Sequence, residues 1–172
     1  MLQALGAVLV ISSSTALGIS VRQRLLKRSN TISHWIFSID LITAEIEQNH
    51  TPLPEIIKML SEQGSMLLRP VFSEMLKRME SQSELSFSYH WHSTIRDLAP
   101  SLNMDNDEVN ILRQASSYLG RYQAEMQVSG LLHTRARLVS AQASAEQDIK
   151  NKGNVYRMCG IAAGIITVLM TI

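Results

Sequence analysis

The chain has 172 residues and a formal net charge of +1, from 16 Lys and Arg against 15 Asp and Glu. Only 18% of it is charged while 45% is hydrophobic, against about 25% charged in typical soluble domains. That length suits one domain with one core, and the interleaved charges leave no broad basic footprint for a nucleic-acid partner. The lone Cys159 excludes an intramolecular disulfide.

Every charged side chain lies between Arg22 and Arg157, so both ends are uncharged. Met1 to Val21 runs straight into apolar sequence, and its bases, Arg22, Arg24, Lys27 and Arg28, follow it. A secretory signal carries its bases first, so the segment reads as a retained anchor. The small-x-small run Ser14-Thr15-Ala16 keeps a cleaved signal as the alternative. In a helix, residues 1–21 span roughly 31 Å, about the apolar thickness of a bilayer. Ser12 to Thr15 can bond back to carbonyls of the preceding turn or across to a second helix, and Ser14-x-x-x-Gly18 offers it a small face.

Ile32, Trp35, Ile36, Ile39, Ile42 and Ile46 recur at spacings of three and four, predicting a helix over residues 30–48. The stretch NHTPLPE ends it, because a residue before proline is pushed out of the helical region. Thr51 reads as the N-cap of the next helix, with Pro52 at its first position and Glu55 at the positive end of its dipole. Ile56, Ile57 and Leu60 give that helix its apolar side, and Gly64 closes it.

Pro70 opens a third helix over 69–80, with Val71, Phe72, Met75, Leu76 and Met79 on one side. A fourth covers 84–98, with Leu85, Trp91, Ile95 and Leu98, and stops before Pro100. Asp105 and Glu108 have capping-box spacing ahead of Val109, Leu112, Ala115 and Leu119. Leu119-Gly120 marks a stop or kink. Helix-favouring sequence then continues to Lys152 without a proline and into the far end.

That end, MCGIAAGIITVLMTI, follows Lys150, Lys152 and Arg157 and contains Gly160-x-x-x-Gly164, a spacing that lets helices approach closely. It is short of the roughly 20 residues of a full span and recruits Val155, Tyr156 and a snorkelling Arg157; a buried terminal helix is the alternative. Both basic clusters flank the inner sides, which places residues 22–154 in the cytoplasm and both termini outside. The expected fold is therefore all-α: an antiparallel cytoplasmic bundle, residues 22–154, between transmembrane helices at 1–21 and 155–172.

Chemistry is sparse. His90 and His92 are two apart, about 200° around a helix, and so cannot share a metal as an i, i+4 pair can. Trp91 is expected to pack inward with both histidines at the boundary. Glu45 and Glu47 are equally ill placed for paired acid-base work and read as solvated, though they stand beside the Thr51 turn. No phosphate loop, nucleophile elbow or dinucleotide fingerprint occurs. The nine methionines read as core gap-fillers. No cofactor, metal or catalytic residue is expected.

Taken together, the uncharged start, the basic flank, NHTPLPE, LGRYQAEMQ and VYRMCGIAAGIITVLMTI resemble the stage III sporulation protein AB family of endospore-forming bacteria. Glu45, Thr51, Pro52 and Leu53 match the family's first helix end and turn; Leu119, Gly120 and Gln127 match its later helix break; Tyr156 and Gly160 match the start of its last span. Tyr122 and Gln123 depart from the family's Ser-Asp, and Cys159 from its Leu; these bear on an Asp N-cap at the later break, not on the fold.

The resemblance implies a non-enzymatic platform similar to those of type II secretion and type IV pilus machines, in the mother-cell membrane around the forespore. Its implied partners are a motor ATPase of the stage III sporulation protein AA family, other membrane proteins of the sporulation channel complex, and lipid. Homo-oligomerisation is compatible with it. Glu45, Thr51, Pro52, Leu53, Gly120 and Gln127 become the candidate partner contacts, and Ser14, Gly18, Gly160 and Gly164 the candidate packing residues of the spans. The rival readings are a scaffold without an ATPase partner and a membrane enzyme using His90/His92 and Glu45/Glu47.

Overall fold

A computed structural model describes the backbone of residues 2–81, 84–120 and 123–171, and the side chains of residues 20, 22–81, 84–120 and 123–151. Among the described residues the chain is entirely helical: α1 (Leu2–Ala44), a π-helical turn (Glu45–Asn49), α2 (Leu53–Gln63), α3 (Arg69–Ser81), α4 (Phe87–Leu98), a 3-10 turn (Ala99–Leu102), α5 (Asn106–Ala115) and α6 (Ala124–Thr171). It divides into two compact units, residues 30–142 and the paired ends 1–29 with 143–172.

The expected first helix, 30–48, is thus part of a longer one. No proline precedes Pro52, and the basic stretch Arg22–Arg28 consists of helix-compatible residues, so nothing breaks α1 before Ala44. Its stripe behaves as its spacing requires. Ile32, Trp35, Ile39, Ile42 and Ile46 are buried, and Ile36, at the edge of the stripe, is half-buried.

Within residues 30–142 the core closes as each short helix adds its apolar side: Ile56, Ile57 and Leu60 from α2, Val71, Phe72 and Met75 from α3, Trp91 and Ile95 from α4. The Trp35 ring meets Phe72 at 5.6 Å and Trp91 at 6.1 Å between centroids, both edge to face, the arrangement that aligns positive ring edges with negative faces. Trp91 also donates from Nε1 to the Leu112 carbonyl at 2.7 Å, fastening α4 to α5. Outside the core, Arg78 on α3 reaches Asp97 on α4 at 2.9 Å, and Asp40 on α1 meets Arg135 on α6. In the other unit Arg28 lies 3.7 Å from Asp148.

Three local expectations change. Thr51 does not cap α2: Pro52 occupies the N-cap position with extended backbone, and the Thr51 hydroxyl turns back to Glu45. The fourth helix begins at Phe87, because the Ser86 hydroxyl accepts the Tyr89 N–H and sets the start there, leaving Leu85 outside it. Among the described methionines only Met75 is fully buried, while Met66 and Met126 are exposed.

Other local end signals are borne out. Asp105 and Glu108 form the reciprocal capping box of α5, Gly64 ends α2, and Gly120 breaks the chain at a φ of 77°. Gly130 sits against the Tyr118 ring, so closely that a Cβ there would overlap Cγ. Among the described residues no helix is long and apolar enough to cross a membrane. For nearly all of the two expected spans only the backbone is described, so the packing expected of Ser14, Gly18, Gly160 and Gly164 lies outside the described residues.

The two core indoles give a direct test of which contact fastens the bundle. Trp35 Nε1 is buried without an acceptor, whereas Trp91 Nε1 has one. Both changes to Phe lose similar volume, so Trp91→Phe should destabilise more than Trp35→Phe by about 1 kcal/mol, the net worth of the hydrogen bond. Urea unfolding of the purified chain, followed by circular dichroism, measures the order of the two; the reverse order would show that the bond to Leu112 does not hold α4 on α5.

Candidate functional site

The site begins where α1 runs out of regular ladder. At Glu45–Asn49 the helix widens into a π turn, a distortion frequent at functional positions. His50 then takes left-handed backbone, φ 52°, and sends its N–H back to the Glu45 carbonyl. The Thr51 N–H reaches the same carbonyl at 3.1 Å. The Glu45 carboxylate completes the closure by accepting from the Thr51 hydroxyl at 2.7 Å and from Asn49 Nδ2 at 3.0 Å. Those hydrogen bonds, Asn49 first and then Thr51, hold the Glu45 carboxyl below its ordinary pKa.

Closing the turn aims Thr51, Pro52 and Leu53 along one wall of a cavity of about 820 Å³. Gly120, Ala124 and Gln127 form the facing wall. A Cβ on Gly120 would lie 3.1 Å from Phe87 Cβ and 3.7 Å from Leu53 Cδ1, so glycine is needed there both for its positive φ and for the close approach. The Gly120 N–H donates to Gln127 Oε1 at 3.3 Å, tying the break to the first turns of α6.

Five of the six sequence-predicted contact residues, Thr51, Pro52, Leu53, Gly120 and Gln127, therefore meet at one cavity, and the sixth, Glu45, orients Thr51 from behind. Sequence reasoning missed Leu76, Met79, Leu85, Phe87 and Lys58, which also line the cavity. They come from α2, α3, the connection into α4 and the first residue of α4, and no local spacing relates them. The available signal was Leu85, an apolar residue just ahead of a Ser N-cap, where no core position awaits it.

His90 and His92 part company. His90 is buried, not at the boundary as its place beside Trp91 had indicated, and it borders the cavity. His92 is half-buried on another side, its Nε2 accepting from Arg113 Nη2 at 2.9 Å. Burial, then the Arg113 and Arg96 charges, hold its pKa below the ordinary histidine value. Glu47 is exposed and distinct from the Glu45 network. Among the described residues no three His, Cys, Asp or Glu side chains gather as metal ligands. The lining mixes apolar residues such as Leu53, Leu76, Met79, Leu85 and Phe87 with polar and charged ones, among them Glu55, Lys58, Glu80 and Gln127, a chemistry of recognition suited to a protein segment that carries both kinds of side chain.

A family model described as Stage III sporulation protein AB matches residues 3–172. Stage III sporulation protein AB of Bacillus subtilis (strain 168) is 23% identical over 170 residues, covering 99% of each chain. A solved structure of a Stage III sporulation protein AB has a similar fold, with a TM-score of 0.65 at 21% identity over 72% of this chain and 96% of that one.

The Glu45 closure is acid-sensitive with a defined sign. Because the folded carboxyl sits below its ordinary value of 4.5, its contribution is fully present above that pH and is lost as the pH falls through the lower folded value. Thr51→Val removes one donor without changing side-chain volume much, so the Glu45 titration midpoint should rise toward 4.5, and acid unfolding should begin at higher pH. Carboxyl-detected NMR titration of both chains checks this; an unmoved midpoint would show that the hydroxyl does not hold the carboxylate.

Proposed function

This chain belongs to the stage III sporulation protein AB family, and from that premise we propose that it is a non-enzymatic membrane platform coupling a cytoplasmic motor ATPase to the sporulation channel between mother cell and forespore. The motor is an ATPase of the stage III sporulation protein AA family, and its docking site is the cavity between the Thr51 turn and the Gly120 break. One observation carries this reading: the segments that stand out in sequence, far apart along the chain, converge on that cavity.

The connection to the membrane follows from which helices wall the site. Ile46, in the π turn that continues α1, and Ala124 and Gln127, at the start of α6, all border the cavity. The same two helices carry the uncharged ends of the chain. In the proposed topology residues 1–21 and 155–172 span the mother-cell membrane, with 22–154 in the cytoplasm, because both basic clusters sit on the inner flanks. A partner that wedges the turn and the break apart then displaces both spans through continuous helices, with no catalytic step in this chain.

Calorimetric titration of the full chain in detergent with the purified ATPase, with and without nucleotide, tests the proposal. Saturable, nucleotide-sensitive binding is expected, weakened about tenfold or more by Leu85→Asp, the scale of one lost apolar anchor. Leu85 is 42% exposed at the edge of the cavity, so this change spares the core. Absence of binding by the folded wild-type chain would leave a scaffold without a motor.

A further inference from the structure

The charges of this chain are segregated along its length. The first acidic residue is Asp40 and the last is Asp148. Outside that interval lie seven bases, Arg22, Arg24, Lys27, Arg28, Lys150, Lys152 and Arg157, and not one acid. The interval itself holds the remaining nine bases against all fifteen acids. A net charge of +1 therefore conceals a basic terminal unit and an acidic bundle.

The terminal unit, residues 1–29 with 143–172, holds seven bases against Glu146 and Asp148. Arg28 has Asp148 at 3.7 Å, whereas Arg22, Arg24 and Lys150 are exposed. Neither Gln23 nor Leu25, beside them on α1, can neutralise them. Orientation by the positive-inside rule needs only an excess of bases on one side. Seven bases gathered on two helices immediately inside two uncharged segments exceed that need and match a surface of phosphodiesters, where each Lys or Arg contributes on the order of 1 kcal/mol.

We infer that the two basic flanks form one collar that recognises anionic phospholipid headgroups of the membrane holding the chain. The inference rests on the membrane topology proposed above. Lipid phosphates neutralise the collar.

The experiment reconstitutes the full chain in vesicles of phosphatidylcholine alone and of phosphatidylcholine mixed with phosphatidylglycerol. Resistance to alkaline extraction reports on the spans, and the lipids retained by the chain in native mass spectrometry report on the collar. Extraction-resistant chain is expected in both vesicles, with phosphatidylglycerol enriched on it, and the triple change Arg22→Gln, Arg24→Gln and Lys150→Gln should cut that enrichment about tenfold or more.

Extraction-resistant chain that retains both lipids in their bulk ratio would overturn the collar and leave the spans standing. Chain that binds only the mixed vesicles and washes off in alkali would overturn the spans while supporting headgroup recognition. Release of the retained lipid by free glycerol phosphate would assign the collar to a soluble anion and overturn the lipid source. Absence of binding to either vesicle would overturn both readings.

Discussion

The geometry of this molecule depends on how α1 ends. A helix that has run unbroken from Leu2 must release the chain so that the short helices fold back over its isoleucine and tryptophan stripe. Glu45 does this with both its carbonyl and its carboxylate, collecting His50, Thr51 and Asn49 into one closed turn. The following prolines, Pro52 and Pro54, stiffen the exit and start α2. Without that closure neither the position of α2 on the core nor the wall formed by Thr51, Pro52 and Leu53 is defined.

The second constraint is Gly120. Its positive φ separates α5 from α6, and its lack of a Cβ lets Phe87 and Leu53 come close. The cavity is thus held between two backbone irregularities, one at the end of α1 and one before α6. Irregular backbone at the ends of the two longest helices is a costly way to join elements that a simpler turn would join. Its benefit is a site whose walls belong to the helices that lead away from it.

Much of the fold is legible in the sequence because helical periodicity and end signals are local. The stripe from Ile32 to Ile46, the Asp105 to Glu108 box and the break at Gly120 are all readable within a turn or two. What misleads is register: Thr51 has the chemistry of an N-cap, but Pro52, with extended backbone, takes the N-cap position and leaves Thr51 one residue outside, where its hydroxyl donates to the Glu45 carboxylate. Half of the cavity lining is illegible for a different reason. Leu76, Met79 and Phe87 acquire a common site only through tertiary packing, which no spacing along the chain encodes.

The claim that the cavity is where the motor engages is tested most directly by position-specific photocrosslinking with the purified ATPase. A photoreactive residue replaces Leu85 at the edge of the cavity in one chain and Phe37, exposed on α1 and absent from the lining, in another. The account expects adducts with the ATPase from position 85 and none from position 37. Adducts from position 37 with none from position 85 would contradict it and move the contact to the outer face of α1.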